Sequence, residues 1–439
     1  MPGLYHFAYV LAALLFTRCS TASLEWRRLK SRSAGVTTSG FATASDDKTC
    51  YLFGGRIGEL YNNDLFTFNA STFDWEIVRT TGSIPCRRSG HTLTKIGKSL
   101  YLIGGQNENG TLGDIYEYEI PSGKWKPVRQ LSQSKFISRS GHSTCTDGKN
   151  RIFLFGGYND EGAFLNDLYE INFSKSDERD ANTTVTFKIL NDDKSISLNP
   201  SPREHSSLTN IEGKLYLFGG YSYGSSCNDG LWIFDLKEKK WSRSNSHFTP
   251  PPGEGYSSFG MGRSIMYFGG CDFSFNANQC YNTVWNYNTS IDQWTIIPSS
   301  LNKPLGRAFG SLFLINDTVF FYGGLKMDKT VYNDTWELTG FISCTDPDHT
   351  CLGNGECYGS FCRCNSGFYG HDCRLETVIE EHIVNETNVK DDGENVEVKE
   401  DNADNLPKHK MKQPTLSTGK LMIALGCCLL VFTFKRFIK

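Results

Sequence analysis

Four arginines recur at one place in the sequence, and their side chains are suited to binding anions. Arg88, Arg139, Arg203 and Arg307 each stand 16 or 17 residues before a pair of glycines. A guanidinium group can hold a carboxylate through two parallel hydrogen bonds. We therefore predict that these side chains bind acidic groups of a ligand. The alternative is that they pair with backbone carbonyls or turn aspartates of their own chain.

Three histidines follow three of these arginines closely. His91, His142 and His205 could hold a metal if they converged, but each belongs to a different repeat. We interpret them as framework residues and predict no metal. The sequence also lacks a Gly-x-Ser-x-Gly elbow, a His-Glu-x-x-His motif and a P-loop. We therefore predict a protein that is not an enzyme and has no cofactor.

The elements that must position these residues are six short apolar strands, each ending in two glycines. The pairs end at Gly55, Gly105, Gly157, Gly220, Gly270 and Gly324. Their successive spacings are 50, 52, 63, 50 and 54 residues. A period near fifty indicates a repeat architecture, in which each unit buries its faces against its neighbours.

Two further features accompany the glycines. A polar turn leads into an aromatic strand, as in Asn63-Asp64-Leu65-Phe66, and a Trp follows some twenty residues after the glycines, at Trp75, Trp125, Trp241 and Trp294. In this combination the sequence resembles the kelch family of β-propellers. The resemblance implies an all-β fold, a six-bladed kelch β-propeller over residues 23–341 with four-stranded blades.

Two repeats depart from the pattern. The third has Phe187 in the Trp position, after a segment from Ser174 to Thr186 that we interpret as a solvated loop. The sixth has no Trp before cysteine-rich sequence begins, whereas Leu24–Leu29 resembles an outer strand. We therefore predict that the N-terminal strand containing Trp26 completes the sixth blade, which leaves no open edge between the first and last blades.

The family resemblance places the four arginines near one mouth of the central channel. Arg56, directly after the first double glycine, matches another position that peptide-binding kelch propellers use. Two repeats lack the arginine and have Thr38 and Gly253 instead, which favours ligand binding over a structural device needed in every blade. We predict a ligand-binding rim formed by Arg56, Arg88, Arg139, Arg203 and Arg307. A rim of this kind predicts a recognition protein. The alternative functions are a propeller enzyme of the galactose-oxidase type and a scaffold of the early secretory pathway.

Fifteen cysteines fall into groups. Cys271 and Cys280 flank one loop, so a local disulfide is predicted, and the pairing of Cys50, Cys86, Cys145 and Cys227 stays open. Residues 342–375 resemble an EGF-like domain, with Cys351-Leu-Gly-Asn-Gly-Glu-Cys357 followed by Cys362-Arg-Cys364. That resemblance implies the pairs Cys344–Cys357, Cys351–Cys362 and Cys364–Cys373. The stretch directly before Cys344, Gly340-Phe-Ile-Ser343, has no acidic residue, so calcium binding is not expected.

The two ends of the chain predict passage through the secretory pathway. Residues 1–22 read as a signal peptide, with an uncleaved anchor as the alternative. Residues 376–419 are acidic and predict a disordered stalk. Residues 420–435 predict a transmembrane segment, followed by a tail at 436–439. The apolar run is short for a bilayer, and a removed GPI signal is the alternative. The order of domains is similar to that of attractin-like membrane proteins.

Composition and acceptor motifs complete the functional prediction. The net charge of −3 does not favour a nucleic-acid partner. Predicted glycosylation sites are Asn69, Asn109, Asn172, Asn182, Asn288, Asn316 and Asn385, and Asn333 also stands in an acceptor motif. We predict a membrane-tethered glycoprotein, at the cell surface or in the endoplasmic reticulum or Golgi membrane, whose propeller binds a protein or glycan ligand.

Overall fold

The computed structural model describes residues 25–31, 36–46, 48–131, 136–175, 183–191, 198–274, 278–316 and 318–339. It also describes the backbone of four short strands between residues 355 and 376. Within these residues every regular element is a β-strand. No helix in this part of the chain is long and apolar enough to cross a membrane.

Six antiparallel sheets follow one another as the blades of a propeller. Blade 1 consists of Ala42–Ser45, Cys50–Phe53, Leu65–Asn69 and Asp74–Val78. Blade 2 consists of Thr92–Ile96, Ser99–Ile103, Ile115–Glu119 and Lys124–Pro127. Blade 3 consists of Ser143–Thr146, Arg151–Tyr158, Phe164–Lys175 and Thr183–Ile189. Blade 4 consists of Ser207–Ile211, Lys214–Phe218, Trp232–Asp235 and Lys240–Arg243. Blade 5 consists of Glu254–Met261, Ser264–Asp272, Val284–Asn288 and Gln293–Ile297.

Blade 6 joins the two ends of the ring, as the sequence predicts. Its first three strands are Ser311–Ile315, Thr318–Tyr322 and Thr335–Thr339, and its outer strand is Glu25–Arg28. Trp26 lies opposite Leu338 in the antiparallel register. The Trp26 ring packs 4.9 Å from the ring of Phe268 in blade 5. The N-terminal strand therefore closes the ring by both hydrogen bonding and burial.

The core lies between the blades. The buried apolar side chains form six clusters, and each cluster draws its members from two neighbouring blades, including blades 6 and 1. The double glycines allow this close packing. Gly55 has φ +90°, and a Cβ atom there would lie 2.2 Å from Oγ1 of Thr38. A larger residue at this position would strain the backbone and clash with the segment that leads into the inner strand.

Blade 3 corrects one prediction. The segment from Ser174 to Thr186 is not simply a loop, because Thr183–Thr186 continue the outer strand and pair with Asn172–Lys175. Buried Thr183 donates a hydrogen bond to Glu117 of blade 2. Phe187 replaces the Trp by stacking on Phe136, with ring centroids 5.2 Å apart. The extension therefore packs against its neighbour, and residues 176–182 lie outside the described part of the chain.

The C-terminal region contributes two short hairpins. Gly355–Tyr358 pairs with Phe361–Cys364, and Phe368–Tyr369 pairs with Leu375–Glu376. The predicted pairs Cys344–Cys357, Cys351–Cys362 and Cys364–Cys373 concern side chains outside the described part. The predicted signal peptide, stalk, transmembrane segment and tail also lie outside it. In blade 5, Cys271 and Cys280 form a disulfide, whereas Cys50, Cys86, Cys145 and Cys227 are free thiols.

Candidate functional site

The four predicted rim arginines lie inside the propeller. Their side chains are at most 1% exposed. The Arg139 guanidinium donates to Asp167 Oδ1 at 2.5 Å and Oδ2 at 2.8 Å, and to the carbonyl of Gly156 at 2.9 Å. The other three form equivalent contacts: Arg88 with Asp114 and Gly104, Arg203 with Asp229 and Gly219, and Arg307 with Asp334 and Gly323. The prediction that these four arginines line a ligand-binding rim is therefore wrong.

The two repeats that lack the arginine differ in which residues they have at its position and at the turn. Blade 5 lacks both partners, since Gly253 replaces the arginine and Asn282-Thr283 replaces the Asn-Asp turn. In blade 1, Thr38 fills the position and donates from Oγ1 to the carbonyl of Gly54 at 3.1 Å. Asp64 of that blade is exposed, and no arginine in the described part of the chain forms an ion pair with it. The pairing is thus a structural device of four blades; blade 1 replaces it by the Thr38 contact, and blade 5 has neither partner.

Arg56 is the one predicted rim residue that reaches the surface. It begins the hairpin between the second and third strands of blade 1, where Nη2 lies 2.7 Å from Glu59 Oε2. Its guanidinium also lies over the Tyr61 ring, 5.0 Å from the centroid. About a third of the Arg56 side chain is exposed. Arg56 is therefore accessible, on a hairpin whose Ile57 and Leu60 are also exposed.

The hairpins that join the second and third strands mark one face of the ring. Because each blade is an antiparallel meander, these hairpins and the links between blades emerge on the same side. We call this side the hairpin face. At its centre one residue from each blade lies in a ring: Gly40, Gly90, Gly141, His205, Gly255 and Phe309. Five backbone hydrogen bonds link consecutive ring residues from Gly40 to Phe309, for example Gly141 N to Gly90 O at 2.8 Å and His205 N to Gly141 O at 2.7 Å.

All six ring residues have a left-handed backbone, with φ between +55° and +66°. Four are glycines, for which this conformation carries no steric penalty. His205 and Phe309 are the exceptions, and their rings contact each other edge to face, with centroids 4.8 Å apart. Two bulky side chains thus stand at the channel mouth, in positions that glycine occupies in the other blades.

The position of His205 corrects the interpretation of the histidines. His91 and His142 come three residues after their arginines, whereas His205 comes two residues after Arg203. His91 and His142 are buried against the double glycines of the preceding blades, as framework residues. Burial, together with the charge of Arg88, lowers the pKa of His91 to about 3. His205 is one residue out of register and lies at the axis.

Two glutamates surround His205. Nδ1 of His205 lies 2.6 Å from Glu254 Oε2, and Nε2 lies 3.7 Å from Glu204 Oε2. Burial opposes protonation of the imidazole, but the charges of Glu204 and Glu254 and the Glu254 hydrogen bond outweigh it and raise the pKa of His205 to about 9. Burial raises the pKa of Glu204, and the charge of Glu254 adds to this effect. At neutral pH His205 is therefore protonated, and its two ring nitrogens face the carboxyl groups of Glu254 and Glu204.

We call Glu204, His205, Glu254 and Phe309 the axial site. Its polar groups can hydrogen-bond a ligand, and the Phe309 ring offers an apolar surface beside them. The Glu204 carboxylate is the least firmly held, since its distance to His205 exceeds that of a hydrogen bond. Among the described residues, no three His, Cys, Asp or Glu side chains come together in a geometry that could hold a metal ion.

Aromatic side chains extend the hairpin face outward over blades 3 and 4. The Phe164 ring lies 5.2 Å from Tyr158 and 4.9 Å from Tyr223. Tyr223 is 72% exposed and has a left-handed backbone with φ +45°. Large exposed aromatic side chains are typical of protein contact surfaces. The hairpin face thus combines a charged centre with an aromatic flank.

Sequence alignment of the repeats on the arginines could have found the axial site. The position after each arginine is Ser39, Ser89, Ser140, Glu204, Glu254 and Ala308, and the next position is the ring residue. The two glutamates, together with His205 and Phe309, are the departures from small residues at these two positions.

The predicted glycosylation acceptors Asn109 and Asn316 are exposed, as is Asn333, and Asn69, Asn172 and Asn288 are partly exposed. Asn182 and Asn385 lie outside the described residues.

Comparison with protein families decides the classification. The KLHDC2/KLHL20/DRC7 Kelch-repeats domain matches residues 13–147 and 90–324 of the chain. The chain belongs to this kelch-repeat family. The kelch match spans most of the six blades and agrees with the ring seen in the structure.

Individual relatives are distant. Kelch domain-containing protein 3 of Homo sapiens is 26% identical over 301 residues, which cover 62% of this chain and 74% of that protein. The Drosophila melanogaster homolog of leucine-zipper-like transcriptional regulator 1 is 23% identical over 346 residues, and host cell factor 2 of Homo sapiens is 25% identical over 359 residues. The matched region spans 34% and 44% of the lengths of these two relatives, respectively.

Proposed function

We propose that this kelch propeller is a non-catalytic recognition protein that binds a protein partner at the axial site of the hairpin face. One observation carries the proposal: His205 and Phe309 occupy left-handed positions that are glycine in the other four blades. Such a conformation costs a non-glycine residue on the order of 1 kcal/mol or more. Residues with backbone strain of this kind cluster at functional sites, where the strained conformation is part of how the site works.

The surroundings support recognition of a polypeptide. A protein ligand offers both backbone amides and cationic or apolar side chains, which suit the carboxylates of Glu204 and Glu254 and the ring of Phe309. The exposed Tyr223 and the Arg56 hairpin flank this centre on opposite sides of the ring. Aromatic residues and arginine are the side chains most enriched at binding hot spots.

The test replaces Phe309 by glycine, the residue of the equivalent ring positions. Phe309→Gly removes a strained side chain without touching the Arg307–Asp334 pair, so the propeller is expected to keep its thermal midpoint. Proteins captured by the tagged full-length chain from its own cells are quantified for wild type, for Phe309→Gly and for the matched control Lys329→Gly. Lys329 is an exposed left-handed residue on the hairpin of the same blade.

Partners lost with Phe309→Gly and retained with Lys329→Gly support the axial site. Partners retained by both variants would refute it, provided that the captured set differs from that of an unrelated bait. Charge reversal of Arg139 or Arg307 is unsuitable for this test, because it places two like charges in a buried pair and is expected to unfold the blade.

We also propose that the propeller lies in the secretory pathway and is tethered by residues 420–435. The support is sequence-based: the apolar N-terminal run, the acceptor motifs and the C-terminal apolar run. Treatment of the expressed full-length chain with a glycosidase is expected to lower its apparent mass. Retention in the membrane fraction after alkaline extraction tests the tether, and release into the supernatant would contradict it.

A further inference from the structure

Within the described residues, the links between blades add a fifth strand in two places. In blade 2, Thr81–Gly82 pairs in parallel with Lys124–Trp125 of the outer strand. Thr81 N donates to Gly123 O and Ser83 N to Trp125 O, both at 3.0 Å. In blade 3, the link residues Arg129–Gln130 pair in parallel with Thr184–Val185. The outer edges of these two blades are therefore covered by the chain that arrives from the preceding blade.

Blade 5 has a groove at the corresponding place. Residues 245–248 follow Trp241 by four to seven residues. This range includes the six to seven residues from Trp75 to Thr81–Gly82 and the four to five from Trp125 to Arg129–Gln130. These link residues form no strand with the outer strand Gln293–Ile297. Instead, a groove of about 550 Å³ lies between residues 245–248 and residues 291–294. The groove occupies the position that the fifth strand takes in blades 2 and 3.

The side chain of Asp292 explains the difference. Asp292 stands two residues before Trp294, as Gly123 stands two residues before Trp125, and both have a left-handed backbone. The Asp292 carboxylate accepts hydrogen bonds from Ser244 Oγ and from Asn245 N, the latter at 2.8 Å. In blade 2 the link donates to the backbone carbonyl of Gly123. In blade 5 it donates to a side chain instead, which holds it away from the strand edge.

The exposed edge keeps its hydrogen-bonding groups. Trp294 lies opposite Tyr287 in the same register in which Trp125 lies opposite Tyr118. The backbone N–H and C=O of Trp294 therefore point outward, as those of Trp125 point toward the added strand. No described backbone hydrogen bond from the link reaches Trp294. Phe248 forms an apolar wall of the groove; it is 53% exposed and packs 5.1 Å from the Trp285 ring.

We propose that this edge of blade 5 is a second binding site, which takes an extended peptide segment of a partner protein as an added parallel strand. An edge strand with unpaired backbone groups is a template for such addition. Blades 2 and 3 hold a short extended segment at the same place, and this defines the occupant of blade 5. It is a segment of two or three extended residues whose N–H groups donate to the carbonyls of residues 292 and 294. An apolar side chain in the segment would cover Phe248. This site is independent of the axial site.

The probe is a synthetic peptide with the sequence of residues 79–85, the link that adds to blade 2. It is mixed in excess with the full-length protein, and hydrogen exchange of the Trp294 amide is followed. At nine-tenths occupancy the exchange of that amide is expected to slow about tenfold. A peptide that is N-methylated at the positions of Thr81 and Ser83 lacks the donors and is expected to have no effect.

Two variants make the test specific. Asp292→Gly recreates the blade 2 turn, so the link is expected to close over the edge; the Trp294 amide becomes protected without peptide, and the peptide effect is lost. Lys239→Gly changes the equivalent left-handed residue of blade 4 and is the matched control, with the response of wild type. Unchanged exchange of Trp294 in wild type at saturating peptide, or an equal response to the N-methylated peptide, would overturn the proposal.

Discussion

Replacement of Asp167 by asparagine tests whether the buried arginine pairs hold the blades together. Arg139 is fully buried, and its guanidinium has three acceptor groups: the Asp167 carboxylate and the carbonyls of Gly156 and Ile137. The substituted asparagine would keep the shape of the side chain but remove its charge. The arginine would then remain as a buried cation without a counter-charge.

The expected loss follows from the geometry. Removing one partner of a buried ion pair costs about 3–5 kcal/mol. The Asp167 side chain is 20% exposed, so water can offset part of the loss, and we expect about 3 kcal/mol. For a domain of this size each kcal/mol lowers the thermal midpoint by about 2 °C, which predicts a decrease of about 6 °C for Asp167→Asn.

Blade 1 provides the matched control. Asp64 occupies the position of Asp167 in its own repeat, but Thr38 replaces the arginine. Asp64→Asn is therefore expected to change stability by less than about 0.5 kcal/mol. Thermal unfolding of both variants is followed by intrinsic fluorescence at neutral pH. Equal midpoints for the two variants would refute the structural role of the pair.

Two further predictions concern the axis and the ring closure. The pKa of His205 is raised from an ordinary value near 6.5 to about 9, so its ion pairs stabilise the fold fully below pH 6.5, and this contribution is lost as the pH rises through 9. The loss of folding free energy is at most about 3 kcal/mol, and it is smaller because the imidazole ring is partly exposed. In urea titrations, His205→Gln should flatten the dependence of unfolding free energy on pH between these two values. An unchanged slope of that dependence would contradict the assignment of the raised pKa to His205. Trp26→Ala should cost about 3–5 kcal/mol by opening the contact between blades 5 and 6. Arg28→Ala, at an exposed position of the same strand, should cost less than about 0.5 kcal/mol. Similar thermal midpoints for the two variants would show that the strand does not close the ring.

Features that depend on local pattern could be predicted. The double glycines, the turn aspartates and the tryptophans recur at a fixed spacing, because each blade repeats the same backbone path and the same steric needs. The same period revealed that the sixth blade lacked an outer strand, and it identified Trp26 as the missing residue. The Cys271–Cys280 disulfide closes a loop short enough to be recognised from spacing alone.

The amino-acid sequence by itself determined the number of blades, their closure by the N-terminal strand and the positions of the arginines. Only the tertiary structure decided that the arginines form buried ion pairs, because the aspartates that pair with them lie 26 to 28 residues further along the chain. It also decided the role of His205, since a shift of one residue moves a side chain from the blade framework to the axis. The open edge of blade 5 likewise depends on the path of one link. Asp292 sets this path by accepting hydrogen bonds from the link, and this contact is not part of the repeat pattern.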